Sequence, residues 1–334
     1  MPGSSRTDRL TVVTTEATSG TDQFAHDVKA GFSACPKSLP CRYFYDAQGS
    51  LLFEQICDLP EYYVMRTERA ILEQRAGELA TRSPAGVSLV ELGSGSAAKT
   101  RILIRAFLGR FESLRYVPID GSRTMLEQSC LDLVREFPSL HVLAVAGEYH
   151  DGLRELRARI DGPKLILWLG SSIGNLDLPE AESFLACVRD TMSGSDRMLV
   201  GMDLRKAPAV LEAAYDDAQG VTARFNLNLL ARINRELGGR FDLSTFRHRA
   251  VYNEEIGRIE MYLVSTCRQK VAIDQLGLEI EFTGQETIHT ENSYKYSTES
   301  IAQLAKASGI SIEEQWLDAG RRFSVNLFAP SGSG

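Results

Sequence analysis

The chain has 334 residues, 43% of them apolar and 24% charged, with a formal net charge of −7. This is the make-up of a soluble globular protein with one large or two intimate domains. The acidic balance argues against nucleic acid or an anionic membrane as partner, and no apolar run approaches the roughly 20 residues of a membrane span. Six dispersed cysteines without a C-x-x-C pair, and five scattered histidines, point to free thiols in a reducing cytoplasm and to no metal site.

Residues 1–20 are rich in Ser and Thr, lack an apolar period, and are expected to be flexible. A helical period follows over 22–32 (Phe24, Val28, Phe32). Next come a proline-punctuated, aromatic-dense stretch (36–49), a short helix (50–57) and a loop (59–66). These aromatics could simply pack as a lid. Thr67 to Thr81 reads as a helix through Ile71, Leu72, Ala76 and Leu79. From there strands and helices alternate. The strands are 87–92, 114–120, 141–147, 164–170 and 197–203, with helices from Thr100 and over 122–136, 153–160 and 180–192. Near-continuous apolar strands separated by amphipathic helices imply a mostly parallel sheet covered on both faces.

After Leu204 the pattern changes to two helices (207–216, 221–237) and then to period 2. A hairpin is expected from 246–252 and 258–264, continued by 269–273 and 278–282. A helix (297–307) and two strands (313–317, 322–327) restore the first pattern. The expected division is a cofactor domain over 67–205 and 297–334, and a substrate domain over 20–66 and 206–296.

The first strand runs into Glu91-Leu-Gly-Ser-Gly95, and Gly93, Gly95 and Ala98 satisfy G-x-G-x-x-G/A. By itself that motif does not separate a cofactor cradle from a tight turn. In a doubly wound sheet, ligands bind at the carboxyl ends of the strands. Those ends carry Asp120, Glu148 with Tyr149, and Ser171 to Asn175. Asp120 suits ribose hydroxyls, or caps the following helix. Glu91 ahead of the glycines, and the closing helix–strand–strand pattern of a class I methyltransferase, favour S-adenosylmethionine over a nicotinamide cofactor.

Longer stretches point further. Pro36-Lys-Ser-Leu-Pro, Phe44-Tyr-Asp-Ala-Gln-Gly-Ser, Leu59-Pro-Glu-Tyr-Tyr, Lys99-Thr100 and Leu169-Gly-Ser-Ser-Ile-Gly-Asn-Leu176 are four such stretches and one pair. Tyr215-Asp-Asp, Gly220-Val-Thr-Ala-Arg-Phe-Asn, Arg258-Ile-Glu-Met and Thr290-Glu-Asn-Ser-Tyr-Lys-Tyr296 are four more. With these, the chain from about Asp22 to Phe328 resembles the histidine-specific Nα-methyltransferases of ergothioneine biosynthesis, which trimethylate histidine to hercynine. The resemblance implies an α/β fold: a class I, Rossmann-like S-adenosylmethionine methyltransferase sheet with an inserted α+β substrate-binding domain. It implies a cytoplasmic enzyme, expected to be a monomer, with S-adenosylmethionine as methyl donor and L-histidine as substrate.

Residue by residue, the resemblance places Gly93, Gly95, Lys99, Asp120, Glu148 and Tyr149 around the donor. Asn175 and Tyr215 fall at the amino and carboxylate end of the substrate, and Tyr62, Glu291 and Ser293 at the imidazole. Met261 falls on an apolar wall and Tyr45 beside the amine, so Tyr45 and Asn175 are the expected catalytic pair. Several also have a plainer use: Lys99 as a solvated helix-start lysine, Met261 as core, Tyr62 and Tyr45 as lid packing, Glu291 as an exposed strand charge. Against the last, Glu291 and Ser293 lie two apart, on one face of any extended segment. His289 is expected to be structural. Glu148 stands where the family usually has Asp, its aromatic partner is here Tyr149, and Gly121-Ser-Arg-Thr lacks a second Asp. These departures bear on donor affinity. A relative acting on a tryptophan-type amino acid or an imidazole nitrogen, a non-catalytic donor- or betaine-binding protein, and a nicotinamide oxidoreductase are the rival expectations.

The chemistry suits such residues. An α-amine titrates at roughly pH 8, so some of it is already neutral and no strong base is required. Positioning can then supply roughly 7–11 kcal/mol of the barrier reduction.

Overall fold

The computed structural model describes residues 6–15 and 20–331. The chain begins with strands β1 (Arg6–Thr7) and β2 (Leu10–Thr14), helix α1 (Gly20–Ser33), β3 (Lys37–Ser38), and helices α2 (Ala47–Asp58) and α3 (Tyr63–Arg82). The alternating region comprises β4 (Ser88–Leu92), α4 (Thr100–Leu108), β5 (Leu114–Asp120), α5 (Arg123–Glu136) and β6 (Leu140–Ala146). It continues with α6 (Tyr149–Arg159), β7 (Lys164–Trp168), α7 (Leu178–Arg189) and β8 (Arg197–Asp203). Then come α8 (Pro208–Tyr215), α9 (Val221–Leu237), β9 (Phe246–Asn253), β10 (Arg258–Ser265), β11 (Gln269–Ile273), β12 (Leu278–Phe282) and β13 (Thr287–Tyr294). The chain closes with α10 (Thr298–Ala307), β14 (Ile310–Leu317) and β15 (Phe323–Pro330). No helix among the described residues is long and apolar enough to cross a membrane.

The contacts divide the chain into two compact units. The first comprises Met1–Glu16, Val64–Arg205 and Tyr296–Gly334. Its sheet has the order β1-β2-β6-β5-β4-β7-β8-β15-β14. Neighbours from β2 through β8 pair in parallel, and β15 runs antiparallel to both β8 and β14. Every residue of β4 and β7 is buried, as a strand covered on both faces requires. From β4 the chain winds first through β5 to β6, then returns to β7 on the other side. That reversal opens the crevice at the carboxyl ends of β4 and β7 where doubly wound sheets hold ligands. With its closing antiparallel β14–β15 hairpin, this is a class I methyltransferase sheet.

The start of the chain departs from expectation. Leu10–Thr14 is an ordered strand, in parallel register with Val142–Ala146, and Leu10 and Val12 are buried. Arg9 holds it in place, donating to the carbonyls of Val134 and Phe137 at the end of α5 and of Leu140 at the start of β6. The five residues Leu-Thr-Val-Val-Thr are too short a signal to stand out beside the surrounding Ser and Thr. Residues 1–5 and 16–19 of the expected flexible segment lie outside the described residues.

The second unit comprises Ala17–Tyr63 and Lys206–Lys295. It has a four-stranded sheet, β3-β13-β10-β9, and the β11–β12 ribbon. Helix α9 is fastened at its start by Asp217, whose carboxylate accepts the N–H groups of Val221 and Thr222, and it ends at Gly238 in the left-handed conformation. Two elements differ from expectation. Residues 63–66 begin α3 instead of lying in a loop, because Tyr63 and Val64 are weak helix formers whose burial decides the matter. Strand β13, without a sustained apolar alternation, is held by pairing with β10.

Candidate active site

In the first unit the glycine turn sits at the end of β4, with Gly93 at φ +73° and Gly95 at φ +49°. Ala97 is also held at φ +53°, a strained value for a residue with a Cβ. Gly93 N–H is anchored to the Ile119 carbonyl at 2.8 Å. Asp120 accepts the Gly95 N–H at 2.9 Å and the Ser122 N–H at 2.8 Å, so it both braces the turn and starts the following helix. Burial raises its carboxyl above the usual range, against the pull of those two N–H groups. Each oxygen retains a lone pair for a further donor. Tyr149, at the start of α6, places its hydroxyl over Gly93, 2.6 Å from where a Cβ would stand, and its ring packs against Trp168 and Phe184. Glu148 precedes it, exposed, at the helix N-cap position.

Glu91 turns away from the turn into the core. It accepts from Thr100 at 2.6 Å and from Tyr116, and burial pushes its carboxyl up to about 7. Its part is to tie α4 to β5 beneath the glycines. Lys99 pairs with Glu68 and lies beside Gly170 at the end of β7. Ser171 follows at φ +59°, leading into the 3-10 turn Ser172–Asn175. Asn175 therefore stands at a strand's carboxyl end in the unit that carries the glycine turn. Ser94, between the two glycines, buries an Oγ that has no hydrogen-bond partner. An unsatisfied hydroxyl, backbone left-handed at the turn, and a carboxylate on the next strand end are a donor and acceptor set that fits a nucleoside with an amino-acid tail, as S-adenosylmethionine has.

In the second unit, Met261 on β10 stands directly opposite Glu291 on β13, and Ile259 opposite Ser293. Directly opposed residues share a face. A bulge follows, since Tyr262 pairs with His289 and Thr290 is left over, its hydroxyl donating to the Met261 carbonyl. The bulge re-aims Glu291 relative to the rest of β13. Glu291 keeps some accessible surface, yet the protein packed around its carboxyl raises it from 4.5 to about 7, with the Lys295 charge pulling the other way. Ser293 and Tyr215 are both buried, with their hydroxyls 2.8 Å apart. Lys295 is 2% exposed, and its ammonium donates to both, at 2.9 and 2.8 Å, and lies 4.6 Å from the centre of the Tyr215 ring.

Tyr62 is buried with its ring 6.3 Å from that of Tyr215, and burial, then Tyr215, Cys57, Tyr45 and Glu291, raise its phenol well above the ordinary value. Tyr45 is 38% exposed and contacts Phe53 and Phe225 edge-on. Tyr215 is fixed from behind. His248 Nε2 lies 2.7 Å from the Tyr215 carbonyl, and Nδ1 lies 2.9 Å from Asn226 Nδ2. The carbonyl must accept and the amide nitrogen must donate, so this pattern assigns a neutral imidazole with its proton on Nε2. Burial lowers the His248 pKa in the same direction. His289 bonds Asn292 at 2.8 Å, a structural use.

Within each unit the expected residues converge: Gly93, Gly95, Lys99, Asp120, Tyr149 and Asn175 at strand ends of the first, and Tyr62, Tyr215, Met261, Glu291 and Ser293 together in the second. Sequence reasoning missed Lys295, Glu68 and His248 as neighbours of these residues. Lys295 lies inside the Thr290–Tyr296 stretch, where nothing in the residue order marks it as a neighbour of Tyr215. Glu68 falls on the apolar stripe of Val64, Ile71 and Leu72, so an acid at a core position was its signal.

A family model described as "Histidine-specific methyltransferase, SAM-dependent" matches residues 24–330. Histidine N-alpha-methyltransferase of Mycolicibacterium smegmatis is 41% identical over 312 residues, covering 93% of this chain and 96% of that protein. The protein of the same name from Mycobacterium tuberculosis is 40% identical over 303 residues, covering 91% and 94%. Ergothioneine biosynthesis protein 1 of Neurospora crassa is 34% identical over 301 residues, which are 89% of this chain and 33% of the longer fungal protein. This chain belongs to the histidine-specific, S-adenosylmethionine-dependent methyltransferase family.

Proposed function

We propose that this protein transfers methyl groups from S-adenosylmethionine to the α-amine of L-histidine, three times in succession, to give hercynine, the first step toward ergothioneine. The observation that carries the reading is the cross-strand pair of Met261 and Glu291, with Ser293 further along the same strand and Lys295 just beyond its end. An imidazole has one N–H and one bare nitrogen when neutral. Glu291 accepts the first, and a hydroxyl held by a lysine donates to the second. An indole offers only the N–H and would leave that donor unmet, which costs affinity. Met261 supplies the apolar wall for the ring.

S-adenosylmethionine supplies an electrophilic methyl carried on a sulfonium. In the first unit Gly93, Gly95, Ser94, Lys99, Asp120, Glu148 and Tyr149 are the residues that would hold it. Tyr215 and Asn175 orient the amino-acid end, and Tyr45 and Tyr62 present aromatic surface to an amine that grows bulkier and ends as a fixed cation. Bound there, S-adenosylmethionine would give its methyl to the neutral amine and keep the bonding electron pair on its own sulfur, and the amine must lose a proton to solvent before each further transfer. The enzyme works as a cytoplasmic monomer.

The test is to incubate the protein with S-adenosylmethionine and each of the twenty amino acids and read products by mass. A three-methyl increment on histidine alone is expected. Methylated tryptophan, or no product, refutes the assignment.

A further inference from the structure

Glu68 has no exposed surface, although an ionised carboxylate is among the most costly groups to bury without partners. Its surroundings answer that cost from three strands of the first unit. Both carboxylate oxygens accept the Gly170 N–H, each at 2.9 Å, at the end of β7. Oε2 also receives the Lys99 ammonium, from the segment that joins the glycine turn of β4 to α4. On β8, Gly201 lies inside a strand and makes no turn. A Cβ there would overlap Glu68 Oε1, so the glycine is the space the carboxylate occupies. The Lys99 ammonium in turn lies 3.3 Å from where a Gly170 Cβ would be.

We propose that Glu68 is a positioning residue of the donor site, aiming the Lys99 ammonium and fixing the loop that leaves β7 at Gly170 through one carboxylate. The proposal rests on reading this unit as the S-adenosylmethionine site. A lysine is a point charge on a flexible four-carbon stem, and it selects no direction by itself. Paired with a carboxylate that is itself held by a backbone N–H and seated on a glycine, the ammonium has one place to be. Glu68 thus acts on the donor through Lys99, and its removal costs donor affinity only while Lys99 is present.

The experiment is calorimetric titration with S-adenosylhomocysteine of the full chain and of E68Q, K99M and E68Q/K99M, with the thermal midpoint of each recorded. E68Q is expected to weaken binding at least fivefold, and adding E68Q to K99M is expected to change it less than twofold. E68Q binding within fivefold of wild type overturns the proposal, as does a loss of twofold or more in the K99M background. If E68Q alone fails to fold, the comparison of K99M with the charge-neutral E68Q/K99M pair decides by the same twofold limit. Failure of that pair to fold also overturns the proposal, because Glu68 would then serve the fold whatever Lys99 does. A wild-type chain that binds no S-adenosylhomocysteine refutes the donor-site reading, and the proposal with it. A binding wild type with an indifferent E68Q refutes the proposal alone.

Discussion

Replacing Glu291 by Gln keeps the shape of the side chain and removes its titration. The folded carboxyl stands at about 7 instead of 4.5, mainly because burial disfavours its charge. Between those two values the unfolded chain is ionised at this position and the folded chain is not. Stability therefore falls as pH rises through this window, by about 1.4 kcal/mol per pH unit, reaching a total of about 3 kcal/mol near pH 7 and staying level above it. The amide of the variant has nothing to titrate. Urea unfolding at pH 5 and pH 8 should find the variant gaining about 2.5 kcal/mol on wild type between the two conditions, whatever slope the other groups impose on both proteins. Binding moves the other way. The amide accepts from the imidazole N–H without charge, so a bond of about 1.5–3 kcal/mol becomes one of about 0.5–1.5, which weakens histidine roughly 5- to 15-fold at pH 8. Calorimetry with S-adenosylhomocysteine should show no change. Parallel stability profiles for the two proteins, or equal losses for the two ligands, would refute this account of the pocket.

Gly93→Ala should weaken S-adenosylhomocysteine binding at least tenfold. The new Cβ meets the Tyr149 hydroxyl and the backbone must hold φ +73°, a strain of roughly 1–2 kcal/mol. Adding Tyr149→Phe should recover only part of the loss on calorimetry, and full recovery would show that backbone conformation is irrelevant there. A chain beginning at residue 16 loses buried Leu10 and Val12 together with the Arg9 bonds. It should be destabilised by about 3–6 kcal/mol in urea while still binding histidine. An unchanged unfolding midpoint would mean that β2 adds nothing to the stability of the sheet.

The parallel sheet was legible because its signals are local. Runs such as Leu-Ile-Leu-Trp and Met-Leu-Val-Gly-Met carry burial on both faces in their own composition, and the helix periods between them are unambiguous. The glycine turn was legible for the same reason, since positive φ at Gly93 and Gly95 is a demand on those residues themselves. The placement of Glu291 and Ser293 on one face needed only the two-residue repeat of an extended chain.

Pairing across the chain decided the rest. β13 exists because β10 lies beside it, and the bulge at Thr290 that sets Glu291 opposite Met261 is a property of the pair. The N-terminal strand is ordered by the edge of β6, which no reading of Leu10 to Thr14 contains. Glu91 reads as a ligand-side acid in the sequence and turns out to brace the core, because Thr100 and Tyr116 reach it there. Glu68, Lys295 and His248 gain their meaning from Gly170 and Gly201, from Tyr215 and Ser293, and from the Tyr215 carbonyl. By itself, then, the sequence determined the periodic elements, the turn chemistry and the family resemblance. The tertiary structure decided which buried charges face which partners, since desolvation and hydrogen bonding depend on what surrounds a group and not on its place along the chain.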